Sequence, residues 1–271
     1  MHDATGSEQE AHRRYPASRH TTTGSRACAE ILAEEVPVAL VYNGISHAVM
    51  LATPSDLEDF ALGFSLSECI VGRAGEILDL EIVEQAQGIE VRMQLTAERA
   101  HALKQHRRNL AGRTGCGLCG TESLEQLARR EGRVTSSAQV GQGAVTRALA
   151  GLEQQQVLFG LTGAVHAAAW CELGGKIELL REDVGRHNAL DKMIGALARD
   201  RRGFDEGFVL MTSRASYEIV QKAAAVGIAV VAAVSAPTGM AVRVAQDAGL
   251  TLIGFARGER YCVYSHPQRI H

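Results

Sequence analysis

The C-terminal half of the chain repeats one pattern. Gly207–Thr212 (GFVLMT), Ile228–Ser235 (IAVVAAVS) and Leu250–Ala256 (LTLIGFA) are short, unbroken apolar runs. Between them lie Ser216–Gly227 and Ala236–Gly249, each with helical apolar spacing and a closing glycine. Continuous apolar strands alternate with helices where a parallel sheet is covered on both faces. Just upstream, TGAVHAAAWCE and IELLRED flank Gly174-Gly175 and predict a hairpin. The stretch GRHNALDKMIGALARD follows, with Leu190, Met193, Ile194 and Leu197 on one helical face. With a helix over 144–154, the order is helix, hairpin, helix, strand, helix, strand.

The N-terminal half reads differently. Residues 28–43 predict strands ending at the turn Asn43-Gly44, and 45–52 the returning strand. A helix follows, with Thr53 or Ser55 as its cap and Leu57, Phe60, Ala61 and Phe64 at helical spacing. Two short strands (77–83 and 89–95) and a basic helical stretch complete a small α+β unit over 28–113. Residues 114–271 form the larger α/β domain, introduced by a CxxC loop. Residues 1–27 are polar and are expected to be a flexible tail.

Composition narrows the function classes. A net charge of −3 marks neither a nucleic-acid binder nor a membrane-surface binder. The longest apolar run, 223–236, is too short and too rich in small residues to span a bilayer. The N-terminus lacks the apolar segment of a secretory signal, so six cysteines imply reduced thiols and a cytoplasmic location.

Two of those cysteines, Cys116 and Cys119, sit in Arg113–Thr121 (RTGCGLCGT). Flanking glycines leave a thiol accessible, having no Cβ to block approach. Ser123–Gln126 reads as a capping box, so a helix begins just after the thiols. Its positive end and Arg113 both favour thiolate over thiol. A zinc ribbon needs four ligands, and Cys28, Cys69, Cys171 and Cys262 stand singly. A thioredoxin-type motif opens its helix directly, whereas glycine follows each cysteine here. A thiol used for group transfer is the remaining reading, with one cysteine as thiolate and the other assisting.

The element order also resembles a zinc deaminase, whose signatures are H-x-E after the hairpin and P-C-x-x-C at the next helix. This chain has His187-Asn188-Ala189 and Ser213-Arg214-Ala215-Ser216 at those places. The scaffold can be shared, but a deaminase's metal ligands and general acid are missing, so no metal site and no deamination are expected. The junction Arg181–Lys192 (REDVGRHNALDK) is either a solvated helix start or the wall of a polar pocket. Thr212–Glu218, Ser235–Gly239 and the stretch RYCVYSHPQR follow strands of one sheet. Hydroxyl-rich turns at helix starts cap helices or cradle anions such as nucleotide phosphates. Together they converge on one edge and favour a nucleotide-like ligand. His166 reads as structural, and Phe159 and Trp170 as core.

Taken together, GCGLCG, TGAVHAAA, EDVGRHNALDK, SRASYEIVQKAA, SAPT and VYSHPQRI, in this order, resemble the FdhD family over nearly all of 28–271. Two departures are conservative: Thr162-Gly163-Ala164 where the family has TGG, and Thr212-Ser213-Arg214 where it has SGR. The resemblance implies a cytidine-deaminase-like three-layer domain beside the smaller α+β domain. It implies a sulfurtransferase that accepts persulfide sulfur from a cysteine desulfurase. The sulfur passes to Mo-bis(molybdopterin guanine dinucleotide) before that cofactor enters formate dehydrogenase. Cys116 corresponds to the persulfide carrier and Cys119 to its partner. Tyr261, Cys262, Val263, Tyr264, Ser265 and His266 correspond to the cofactor-binding stretch, for which GDP is an analogue, and Asp183 or Asp191 would suit the N–H donors of the guanine that the resemblance implies. A homodimer is implied. A chaperone that holds the cofactor without transferring sulfur is the competing expectation.

Overall fold

The computed structural model describes residues 10–111 and 132–271. The sheet expected from the apolar runs has six strands. They are β7 (His166–Glu172), β8 (Ile177–Asp183), β9 (Gly207–Met211), β10 (Val230–Ala233), β11 (Thr251–Arg257) and β12 (Arg260–Val263), in the order β12-β11-β10-β9-β7-β8. Only β9, β10 and β11 are mutually parallel. The tight turn at Gly174-Gly175, where Gly175 has φ 95°, makes β7 and β8 antiparallel, and β12 folds back on β11. The result is a mixed sheet with a parallel centre.

Both faces are covered, but unevenly. Trp170, Val209, Met211, Val231 and Leu252 belong to the core that includes α5 (Arg186–Arg199), α6 (Tyr217–Ala225) and α7 (Gly239–Ala248). Cys171, Phe208, Leu210, Val230 and Ile253 on the other face meet α3 (Ala144–Gln155) through Ala144, Val145, Ala148 and Leu152. The three helices that link successive strands all lie on the first face. Between α3 and β7 stands the short α4 (Val157–Thr162), closed by Gly163 in the left-handed region. Its first amides, Leu158 N–H and Phe159 N–H, donate to the Glu182 carboxylate at 2.7 and 2.9 Å. Trp170 is core as expected, but Phe159 is 42% exposed because α4 lies on the surface.

A second sheet of four strands has the order β4-β3-β6-β5, from β3 (Val36–Tyr42), β4 (Ile45–Ala52), β5 (Ile77–Gln85) and β6 (Gly88–Leu95). Asn43 (φ 48°) and Gly44 (φ 77°) make the turn that their dipeptide predicts. The inward residues Val38, Leu40, Val91 and Met93 are buried with Phe60 and Phe64 of α1 (Leu57–Ser67). The helix α2 (Ala97–Ala111) follows β6. Neither Thr53 nor Ser55 caps α1; Asp56 holds the cap position with φ 52° and makes no side-chain cap bond. Thr53 is instead committed to the larger sheet: its amide donates to Asp183 Oδ2 at 3.0 Å.

The two sheets share one core because α1 packs directly on α5. A Cβ at Gly63 would lie 1.7 Å from the Asp191 carbonyl oxygen, and one at Gly195 would lie 1.8 Å from that of Asp59. Only hydrogen at these positions lets the backbones approach so closely. Charge tightens the contact: Arg181 donates through Nε and Nη2 to Asp59 Oδ2 at 2.9 and 2.8 Å.

The polar N-terminal stretch departs from expectation. Residues 12–27, read as part of a flexible tail, belong to an antiparallel ribbon of β1 (His12–Thr21) and β2 (Gly24–Ala33). Arg, Thr and Ser alternate without a buried apolar face, so neither hydrophobic period signals these strands. Backbone pairing and the Thr21–Gly24 turn hold them.

Gly195→Ala is expected to lower stability by about 3 kcal/mol, the upper range for overpacking. Denaturant unfolding of the variant checks this, and an unchanged midpoint would contradict the close crossing.

Candidate functional site

The carboxyl ends of the parallel strands gather the polar loops at one edge. The loop 212–216 after β9 and the loop 234–238 after β10 are joined by the Ala215–Pro237 bridge and by Thr238 N–H donating to the Ala215 oxygen at 3.0 Å. Thr212 Oγ1 accepts from Ala167 N–H at 2.8 Å, which fixes the first loop to the start of β7. Thr238 caps α7 through Ala241 N–H at 3.2 Å, as a simple cap would. Ser216 does not cap α6. Its hydroxyl lies 2.9 Å from Glu218 Oε2 and 3.3 Å from His187 Nε2.

At the same edge β7 begins with His166, paired in register with Asp183 at the end of β8. The helix α5 opens one turn later with Arg186 and His187. Neither α5 nor α6 has a side-chain cap, so both present their positive ends here. The Nε of Arg186 is buried with no hydrogen-bond partner among the described residues. Burial, and then the Arg186 charge, hold both His166 and His187 below the usual imidazole range. His166 was read as structural, yet its side chain makes no hydrogen bond to the described residues and stands half-buried at this edge. Arg186, the His166 and His187 imidazoles and two uncapped helix starts form a surface suited to an anion such as a phosphate, bordered by the Glu218 carboxylate 3.5 Å from His187 Nε2.

The junction 181–192 is a buried lock rather than a solvated helix start. Asp183 is fully buried. Its Oδ1 accepts from Gly185 N–H (2.8 Å) and Asn188 Nδ2 (2.9 Å), and its Oδ2 accepts from Thr53 N–H and pairs with Lys192 Nζ at 2.7 Å. Asp191 is 1% exposed and binds Ser67 Oγ (2.7 Å) and Lys222 Nζ (2.9 Å). Neither carboxylate can meet a guanine, contrary to expectation, because every oxygen faces protein donors inside the core.

The stretch Tyr261–His266 is split along β12 and beyond. Tyr261 and Cys262 line an open cavity of about 970 Å³ with Arg257, Arg260, Thr146 and Gly143 at the start of α3. Tyr261 donates to the Gln142 oxygen at 3.1 Å. Val263 pairs with Ile253 in the sheet. A Cβ at Gly254 would lie 2.6 Å from Pro237 and 3.2 Å from the Tyr264 ring, so that glycine seats both beside the strand-end loop. Ser265 is 4% exposed, with its hydroxyl spent on Leu250 O (2.7 Å) and Leu252 N–H (2.9 Å). His266 bonds the Gln246 oxygen at 3.0 Å, near the opposite end of β11. Of these residues, Tyr264 is seated beside a strand-end loop, Tyr261 and Cys262 line the cavity next to α3, and Ser265 and His266 lie toward the opposite end of β11. Arg257 is an addition to the sequence reading, which included Arg260 as the first residue of the stretch RYCVYSHPQR; the turn Gly258-Glu259 between two arginines is the available signal. Cys116 and Cys119, with Arg113 and the capping box 123–126, lie outside the described residues.

Because Arg186 follows burial as the shared cause of both imidazole shifts, Arg186→Gln is expected to raise the His166 and His187 midpoints together. Proton NMR titration reads this; wild-type midpoints at or above about 6.5, or no shift in the variant, would contradict the arrangement. The sign for stability follows. The folded state holds these protons less tightly than the unfolded chain, so stability is full above about pH 6.5 and falls as pH drops toward the folded midpoints.

Three comparisons place the chain. The FdhD/NarQ family profile matches residues 33–271. A protein named sulfur carrier protein FdhD from Cupriavidus necator is 54% identical over 272 residues, covering 100% of this chain and 94% of that one. Its namesake from Bordetella petrii is 52% identical over 247 residues, covering 91% and 89%. A crystal structure of a formate dehydrogenase accessory protein from Desulfotalea psychrophila superposes with a TM-score of 0.76 over 97% of this chain and 100% of that one, at 23% identity. The mixed α/β fold with two packed sheets is thus shared with that structure, and the chain belongs to the FdhD/NarQ family.

Proposed function

We propose that this protein is a sulfur carrier in the maturation of formate dehydrogenase. In this reading the Cys116 thiolate attacks the outer sulfur of a cysteine desulfurase persulfide. The donor's S–S bond breaks, the desulfurase cysteine leaves as thiolate, and Cys116 becomes the persulfide. Cys119 is the partner thiol: as thiolate it attacks the inner sulfur of the Cys116 persulfide, the S–S bond breaks, the outer sulfur leaves as sulfide, and the two thiols supply its two electrons by closing a Cys116–Cys119 disulfide. The acceptor is Mo-bis(molybdopterin guanine dinucleotide), which receives the sulfur before it enters the dehydrogenase. The activity is that of a sulfurtransferase, and the setting is a cytoplasmic homodimer. No helix of the described residues is long and apolar enough to cross a membrane.

The observation that carries this reading is the near full-length likeness to sulfur carrier proteins, with GCGLCG present in the sequence. The strand-end cluster supports the cofactor part. Arg186, His166, His187 and the starts of α5 and α6 suit phosphates of a guanine dinucleotide. Tyr261, Cys262, Arg257 and Arg260 offer a second polar wall, while Ser265 and His266 hold the backbone that presents them. The order helix, hairpin, helix, strand, helix, strand supports kinship with cytidine-deaminase-like domains.

Mass spectrometry after incubation with cysteine and a desulfurase tests the carrier. A gain of about 32 Da, one sulfur atom, on the peptide containing Cys116 is expected, lost in Cys116→Ala and only reduced in Cys119→Ala. No adduct on the wild-type chain would leave a cofactor-holding chaperone as the better reading. For the nucleotide, GDP is expected to raise the unfolding temperature, with a smaller rise for Arg186→Gln. No binding heat and no thermal shift would remove the guanine part.

A further inference from the structure

The β1–β2 ribbon meets the rest of the described fold at its base, where β2 packs against α4, and projects away from it toward its tip. Its ten-residue strands are about 33 Å long, and nearly every residue toward the tip is exposed. An isolated two-stranded ribbon is marginal in water unless a surface covers it. Its charge is one-sided: Arg13, Arg14, Arg19 and Arg26 lie within 11–29, a stretch with no acidic residue. Arg19 and Arg26 are direct cross-strand partners, a like-charge pairing that Glu30, paired with Arg19, offsets only in part. Glu34 answers Arg13 at the base. Arg14 and Arg26 make no ion pair among the described residues.

The complement is on the smaller sheet. Residues 74–91 contain Glu76, Asp79, Glu81, Glu84 and Glu90 and no basic residue. Most of that block is β5, which ends its sheet and, among the described residues, pairs only with β6, so no described strand lies along its other edge. Asp79, Glu81 and Glu84 are exposed along it beside Leu78, 67% exposed, and Ile82. An open, partly apolar strand edge without lysine or proline invites pairing with another chain. Among the described residues of one chain β1 pairs only with β2, and the ribbon adds no strand to β5.

We propose that the basic ribbon of one copy lies along the acidic β5 edge of a second copy, and that reciprocal contacts close a two-fold dimer. The inference rests on the homodimer in the functional reading and names its surface. It makes the contact electrostatic, so the dimer weakens as salt rises.

Sedimentation velocity on the full chain tests it, with R14E/R26E, D79R/E81R and the variant combining all four. Circular dichroism checks that each is folded; all four side chains are exposed. The expected result is a wild-type dimer whose dissociation constant rises with salt. Each double charge reversal should raise it on the order of tenfold, and the combined variant should regain most of that loss. A wild-type dimer insensitive to salt and to both reversals overturns the ribbon contact while leaving a homodimer standing elsewhere. A wild-type monomer overturns both. Persulfide loading, measured separately, reports on sulfur transfer whatever the outcome.

Discussion

The backbone contact between α1 and α5 is the constraint on which the rest depends. Gly63 and Gly195 interlock so closely that each helix supplies the wall against which the other packs. This merges two sheets into one hydrophobic body running from Val38 to Leu252. It also fixes where α5 begins relative to the strands. Arg186 and His187 open that helix, so the site's geometry is set by a crossing that carries no chemistry of its own.

Charged pairs beneath the site serve the same end. Asp183 holds Thr53 from the smaller sheet, Gly185 and Asn188 at the start of α5, and Lys192 one turn on. Asp191 holds Ser67 of α1 and Lys222 of α6. Buried pairs of this kind are costly to desolvate and are weak evidence for stability, but breaking one by removing a partner costs about 3–5 kcal/mol. Their effect here is positional. They tie the first turns of α5 to Thr53 and to the end of α1, and the last turn of α6 to the same point.

Much of this was legible in the sequence, for reasons of period. The unbroken runs at 207–212, 228–235 and 250–256 have no other comfortable place than a buried sheet, and Asn43-Gly44 announces its turn. What escaped was long-range or polar. Thr53 looked like a cap because capping is local; its true partner, Asp183, lies 130 residues away. Asp183 and Asp191 looked available because they sit in a charged run, and only the fold shows their oxygens occupied. The ribbon escaped because its residues have no apolar period to detect. Within Tyr261–His266, alternation along one strand sends neighbours to different surroundings, which a motif read as a block does not reveal.

The glycine crossing has a consequence for how such a protein is inherited. Two units joined by a loose seam can be separated, shuffled or lost independently, because each keeps a finished surface. Here the smaller sheet is a missing wall of the larger one. Stripped of α1, the helix α5 would show solvent a groove shaped for another backbone, together with the stranded charge of Arg181, whose partners are Asp56 and Asp59. The N-terminal half is therefore no accessory: lineages carrying this α/β domain must keep its companion or rebuild the face where the two helices meet.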